Sequence, residues 1–209
     1  MIYGNIKNII FDWGGVITNI DYGATINAFE KYGIENFEEY YSKTHQSELF
    51  ILHETGQISP DEFRASLIKE TRVPISDEEL DSAWMAMLKE TPFENIELLE
   101  SLKNKYRLFL LSNTNAIHVK RYSEVLKEKL GLDNGLSDLF EEVYYSHEVG
   151  MKKPDVKIFK YLMEENKLKP SETLFIDNSI QNIDAAKSLG LKTIQLIDGC
   201  LLSSLFPPK

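Results

Sequence analysis

Short, mostly apolar runs punctuate the chain at Ile9-Ile10-Phe11, Leu108 to Leu111, Val143 to Tyr145, Leu174 to Ile176 and Thr193 to Leu196. Runs this short, without polar alternation, are expected of strands covered on both faces. Between them apolar residues recur at helical spacing: Ile96, Leu99 and Leu102; Val119, Tyr122, Leu126 and Leu130; Ile158, Phe159, Leu162 and Met163; Ile180, Ile183 and Leu189. Such alternation after Pro92 predicts right-handed crossovers and a parallel sheet with helices on both faces. Pro154 is expected in the first turn of one helix, Gly131 and Gly190 beyond the ends of two others, and Asn178-Ser179 as a cap.

Residues 19–91 break this pattern. Ile26 and Phe29, Phe63 and Leu67, and Leu80, Trp84 and Leu88 repeat at helical spacing, with no convincing strand between Asp21 and Pro92. The expected architecture is therefore α/β: a Rossmann-like parallel-sheet core from residues 1–18 and 92–209, with an all-helical domain inserted at 19–91. Charge marks the same segment. Asp21 to Glu90 holds 15 acids against six Lys and Arg, while the remainder holds 18 acids against 17 bases.

With 209 residues, 43% of them hydrophobic and 27% charged, the chain is in the ordinary globular range. A net charge of -10 argues against nucleic acid or an anionic membrane as partner, since both need a basic face. No stretch approaches ~18 uninterrupted apolar residues, and the opening segment lacks the marks of a secretory signal. A single cysteine, Cys200, cannot form an internal disulfide and is expected to be a semi-buried side chain. The expectation is a cytoplasmic protein.

In an open parallel sheet ligands collect beyond the carboxyl ends of the strands near the topological switch point. Four polar clusters follow or flank the apolar runs: Asp12-Trp13-Gly14-Gly15, Ser112-Asn113-Thr114-Asn115, Lys152-Lys153-Pro154-Asp155 and Asp177-Asn178-Ser179. Singly, each reads equally well as a turn or a helix cap. Together they place two carboxylates, a hydroxyl, a lysine and glycine-flanked amides at one sheet edge, which suits a divalent cation and a phosphoryl group.

Four motifs in order, IIFDWGGVIT, LLSNTN, VGMKKPDVKIF and LFIDNSIQNIDAAKSLG, make nearly the whole chain resemble the haloacid dehalogenase-like (HAD) hydrolase superfamily, with the helical insertion matching its C1-type cap. The resemblance implies that Asp12 is a nucleophile forming an aspartyl-phosphate, and that Lys153 neutralises charge on it and on the transferring group. Ser112, Asn113 and Gly15 would contact the phosphoryl group. Asp12, the carbonyl of Gly14 and Asp177 would hold Mg²⁺. Between the two lysines, the one directly before proline fits the motif.

Two departures qualify this. The second aspartate usual two positions after the nucleophile is here Gly14, which keeps the carbonyl but removes a general acid/base ordinarily worth ~10² to 10⁴ in rate. Slow catalysis, restriction to good leaving groups, or a proton from Asp21, His45, His53 or Glu54 are the alternatives. Asn178 likewise replaces a common aspartate, as a neutral neighbour of the metal or merely a helix cap. A glycine after the nucleophile, with the phrase HETGQISPDEF, is similar to a subgroup acting on glucose 1-phosphate. The expected function is a Mg²⁺-dependent phosphohydrolase acting on a small phosphorylated metabolite, as monomer or homodimer. A metal-independent 2-haloacid dehalogenase and a weakened HAD-fold binding protein are the rival readings.

Three further features are open in sequence. Tyr40-Tyr41 and Trp84 could line a cap pocket or form core. Trp13 should turn into packing or toward the cap interface. Leu201 to Pro208 could be a docked tail or part of a dimer contact.

Overall fold

A computed structural model describes residues 4–42, 45–197 and 199–207. Its elements run β1 (Asn8–Phe11), α1 (Tyr22–Lys31), α2 (Glu48–Glu54), α3 (Pro60–Thr71), α4 (Asp77–Met85), α5 (Phe93–Lys103), β2 (Arg107–Ser112), α6 (Ala116–Leu130), β3 (Glu142–Tyr145), α7 (Ser146–Val149), α8 (Val156–Glu165), β4 (Thr173–Asp177), α9 (Ile180–Ser188) and β5 (Lys192–Gln195). All strands pair in parallel in the order β3-β2-β1-β4-β5. Ile9 lies opposite Leu108 on one side and Leu174 on the other, so the strand bearing the Asp12 cluster is central. The order reverses between β1 and β4, which makes their carboxyl ends the switch point.

The apolar runs divide by parity, as side chains on successive strand residues must. Ile9, Phe11, Leu108, Leu110, Leu174 and Ile176 join Ile96, Leu99, Tyr122 and Leu126 of α5 and α6 on one face. On the other, Ile10, Phe109, Leu111 and Phe175 meet Ile158, Phe159, Leu162 and Ile183 of α8 and α9. Both faces of the sheet are thus roofed by helices, and β1 is wholly buried.

Helices α1–α4 gather around a third cluster that includes Phe29, Phe37, Phe50, Phe63, Leu80 and Trp84, all fully buried. Tyr41 and Trp84 are therefore core, packed edge to face at 4.6 Å. Both α3 and α4 begin with reciprocal capping boxes, Ser59 with Glu62 and Ser76 with Glu79. Asp81 of α4 pairs with Arg64 of α3 at 2.8 Å and with Arg121 of α6 at 2.9 Å. One buried carboxylate thereby ties the helical segment to the sheet's own helix layer.

Two chain crossings join the segment to the rest. Asn19 and Asp21 pair with Glu90, Lys89 and Met87 through backbone bonds of 2.9–3.1 Å, and Ile20 bridges Leu88 antiparallel. Beneath the crossing, the Trp13 indole meets Thr18 at 2.8 Å, Thr18 meets Thr91 at 2.6 Å, Thr91 meets Tyr122 at 3.0 Å, and Tyr122 reaches the Lys89 carbonyl at 2.6 Å. An indole only donates and a carbonyl only accepts, so every hydroxyl between them must donate in the same sense. Trp13 is fixed in packing, 5.4 Å from Tyr122 and 6.5 Å from Tyr145.

Some local expectations fail. Pro154 follows a cis peptide bond, and α8 starts later, with Asp155 accepting from the Lys157 amide. Ser179 stands at the cap of α9, but its hydroxyl goes to Gln181 instead. Cys200 is exposed, not semi-buried. Leu202 is buried, with Leu205 and Phe206 half-buried against the core, so the described part of the tail docks on its own chain; Pro208 lies outside the described residues. No described helix is long and apolar enough to cross a membrane.

Two buried imidazoles make the fold acid-sensitive. His118 lies 3.0 Å from the Trp84 carbonyl and stacks on that indole, and burial lowers its pKa to about 3. Burial also lowers His53, stacked on Phe63 at 4.2 Å, to about 4. Unfolded imidazoles protonate near 6.5, so this stability is complete above that pH, declines progressively as pH falls below it, and is fully lost once pH has passed through about 4 for His53 and about 3 for His118. In urea titrations between pH 6 and 4.5, His118→Gln should reduce the pH slope of the unfolding free energy by about 1.4 kcal/mol per pH unit. An unchanged slope would show that His118 does not control it.

Candidate active site

Asp12 follows β1 immediately, and its amide still continues the sheet ladder by donating to the Ile176 carbonyl at 2.9 Å. Asp177 closes the neighbouring strand β4. Parallel register therefore brings two carboxylates to adjacent strand ends, where their repulsion needs an answer. Lys153 supplies it. Its ammonium lies 2.8 Å from Asp12 Oδ1 and 2.7 Å from Asp177 Oδ2, and it also donates to the Leu111 carbonyl at 2.7 Å.

The lysine is held in turn by Asn113. The Asn113 amide accepts from the Lys153 backbone N–H and donates to the Lys153 carbonyl, both at 2.8 Å. Asp177 is fully enclosed, with Oδ1 accepting from the Ser179 amide at 2.7 Å and both oxygens accepting from Asn182 Nδ2. Asp12 differs. Its Oδ1 accepts from the Trp13 amide at 2.7 Å as well as from Lys153, whereas Oδ2 has no partner among the described residues.

Two negative charges face one positive charge in a site largely withdrawn from water. Burial, aided by the Asp177 charge, therefore pushes Asp12 up to about 6 despite the pull of Lys153. Burial alone would lower Lys153, but the two carboxylates raise it above the ordinary lysine value. The ammonium thus stays charged while the site carries one excess negative charge.

A cavity of about 520 Å³ opens in front of this group. Asp12, Gly14, Asn113, Lys153 and Asn178 line its sheet side, and Ile20, Tyr22, His45, Gln46 and Ile51 line the side formed by the helical segment. Gly15, at φ +79°, presses so closely on Asn178 that an added Cβ would stand 2.1 Å from its amide nitrogen. Ser112 is buried at the end of β2, paired with Tyr145. Neither Ser112, Gly15 nor Asp177 lines the cavity; they reach it through neighbours.

Of the four proposed substitutes for the missing carboxyl group, only His45 lines the cavity. Asp21 caps α1 and faces Lys89 at 3.9 Å. His53 is enclosed within the helical segment, and Glu54 is consumed by an ion pair with Lys152 at 2.6 Å. An added Cβ at Gly14 would stand 2.9 Å from Ile20 Cδ1, so a methyl group crowds the place a second aspartate would start from.

Sequence reasoning missed three contributors. Asn182 lies five residues beyond Asp177, where the first turn of α9 folds back on its own strand. The Asn113 clamp and the Lys152–Glu54 pair needed the fold to become visible, because each joins residues 40 or more apart.

Residues 6–190 match the haloacid dehalogenase-like hydrolase family. The chain belongs to that family. It is 34% identical over 194 residues to a D-ribitol-5-phosphate phosphatase of Bacteroides thetaiotaomicron, covering 93% of each chain. An aspartate-to-alanine variant of a HAD family enzyme from the same organism, crystallised with magnesium and inorganic phosphate, superposes with a TM-score of 0.91 at 36% identity, over 97% of this chain and 100% of that one. A predicted HAD-like family hydrolase from Porphyromonas gingivalis superposes at 0.88 with 30% identity, over 99% and 100%.

Removing the shared counter-ion should leave two buried carboxylates without compensation. In EDTA, Lys153→Met is expected to lose about 3–5 kcal/mol of unfolding free energy in urea, and adding Asp12→Asn should restore part of it. A loss below about 1 kcal/mol would mean that solvent, not Lys153, balances these charges.

Proposed function

We propose that this HAD hydrolase is a Mg²⁺-dependent phosphohydrolase acting on a small phosphate ester, with residues 19–91 as the cap over its site. The observation that carries the reading is the pair of carboxylates, Asp12 and Asp177, gathered on one buried ammonium, with an Asp12 oxygen that has no partner among the described residues beside a cavity. The names of the relatives, a phosphatase of a polyol phosphate and a magnesium–phosphate complex, support it.

The residues present fit a hard divalent cation. Carboxylate and carbonyl oxygens are the donors Mg²⁺ takes, and the excess negative charge that lifts Asp12 is what such an ion would offset. Among the described residues no three or more His, Cys, Asp or Glu side chains form a metal cluster. Asp12, Asp177 and the Gly14 carbonyl, the donors the family resemblance implies, would hold it, with water and phosphate completing the shell. When bound, the cation neutralises charge between an anionic nucleophile and an anionic ester.

In the proposed reaction Asp12 Oδ2 attacks phosphorus as the bond to the ester oxygen breaks, the alcohol departs with a proton from water, and a second water cleaves the aspartyl-phosphate, releasing inorganic phosphate and returning the Asp12 carboxylate. Lys153 keeps Asp12 ionised and faces the transferring group, while Asn113 fixes the lysine's backbone. Asp177 fixes the ammonium from behind. Helix-segment residues Ile20, Tyr22 and His45 enclose the leaving-group side, which limits access of bulk water. A haloacid dehalogenase gains nothing from this geometry, since the excess negative charge would repel a carboxylate substrate.

Phosphate release from a panel including D-ribitol 5-phosphate, glucose 1-phosphate and p-nitrophenyl phosphate should require Mg²⁺ and vanish in EDTA, with no chloride released from 2-chloropropionate. Asp12→Asn should reduce kcat by at least ~10³; unchanged turnover would remove Asp12 as nucleophile. Gly14→Asp combined with Ile20→Ala, which clears the crowding methyl, should raise kcat on alkyl phosphates by ~10-fold or more and on p-nitrophenyl phosphate far less. An equal gain on both would mean that leaving-group protonation is already supplied.

A further inference from the structure

The far wall of the cavity carries a second lysine that the phosphoryl chemistry does not use. Lys152 and Gln46 both line the cavity, and the Lys152 ammonium is hydrogen-bonded to Gln46 Oε1. The same ammonium meets Glu54 Oε2 at 2.6 Å, while Glu54 Oε1 accepts from Gln46 Nε2 at 3.1 Å and from the Tyr41 hydroxyl at 3.3 Å. Glu54 itself is buried and stands behind the wall. The network joins the loop before α8 to the helical segment, so it belongs to both walls.

Charge decides what such a wall can accept. Among the described residues lining the cavity the charged ones are Asp12, Lys152 and Lys153, with the imidazole of His45 beside them. Lys153 is matched by Asp12 and Asp177, and Lys152 is matched by Glu54. A bound divalent cation would answer the excess carboxylate and the phosphate, and among the described residues no cation would remain for a second anionic group. The wall still offers an ammonium hydrogen, an amide and an imidazole, which satisfy hydroxyls without adding charge.

Resting on the phosphohydrolase reading, we infer that the cavity selects phosphate monoesters whose leaving group is an uncharged, hydroxylated chain, with Lys152 and Gln46 as specificity-determining residues and Glu54 cancelling the lysine's charge. Selection operates against the competitor: an ester bearing a carboxylate or second phosphate must leave water without a free counter-ion among the described residues.

The test compares glycerol 3-phosphate with 3-phosphoglycerate, which differ by a hydroxymethyl group against a carboxylate, at pH 8 with Mg²⁺ and with p-nitrophenyl phosphate as reference. Wild type should favour the neutral ester in kcat/KM by about tenfold or more. Glu54→Gln frees the lysine's charge and should narrow this ratio several-fold, whereas Lys152→Gln leaves the glutamate unmatched and should widen it. Glu54 is buried, so folding of that variant is checked by its thermal transition, and the Lys152→Gln and wild-type ratios stand without it. A wild-type ratio near one, or one inverted toward the carboxylated ester, overturns the inference, as does a ratio that neither substitution moves. Absence of Mg²⁺-dependent release from all three esters instead overturns the phosphohydrolase reading beneath it.

Discussion

The ammonium of Lys153 is the group on which the structure turns. Parallel pairing of β1 with β4 forces Asp12 and Asp177 to neighbouring strand ends, and a buried lysine between them makes that arrangement tolerable. Neither carboxylate could be enclosed alone without heavy cost, and the lysine could not be enclosed without them. The loop carrying Lys153 is consequently fixed at three levels, by the carboxylates at its tip, by the Leu111 carbonyl, and by the two Asn113 bonds along its backbone. In the proposed reaction function and fold share the same atoms here, so charge is held by groups that the fold itself fixes.

The opposite wall has a different origin. Ile20, Tyr22, His45, Gln46 and Ile51 come from the helical segment, whose core of stacked and edge-on aromatic rings is separate from the cores on the two sheet faces. Asp81 bonded to Arg121, His118 bonded to Trp84 and Glu54 paired with Lys152 are among the polar links across the boundary. Each joins groups that are both charged or both shielded, so the contact is selective in orientation more than adhesive. A hydroxyl relay from Trp13 to Lys89 runs beneath the crossing and couples the turn after Asp12 to the chain that leaves the segment.

Much of this was legible in the sequence because strand burial leaves an unmistakable mark. Apolar runs with no alternation located β1 to β4 almost to the residue, and β5 ended one residue early, at Gln195, with Leu196 turning into the core beyond it. The helical segment was visible from its spacing, and the convergence of Asp12, Lys153 and Asp177 followed from strand ends plus a recognised motif order. What failed was local. Pro154 and Ser179 were assigned by residue preference, but α8 begins beyond Pro154 with Asp155 at its cap, and the Ser179 hydroxyl donates to the Gln181 side chain instead of accepting from the helix. Competing side-chain partners decided the capping at both places. Candidate proton donors fared worst, because exposure to a cavity is not encoded in spacing: His53 and Glu54 share one short helix with Ile51, yet only Ile51 reaches the opening.

The antiparallel crossing at Asn19–Asp21 and Met87–Glu90 fixes where the helical segment begins and ends without involving any strand of the sheet. Since its entrance and exit are zipped side by side, the length of polypeptide between them is geometrically irrelevant to the register of β1 against β2 and β4. Everything beyond that zipper can therefore be lengthened, shortened or replaced as a single graft that leaves the charge trap beneath untouched.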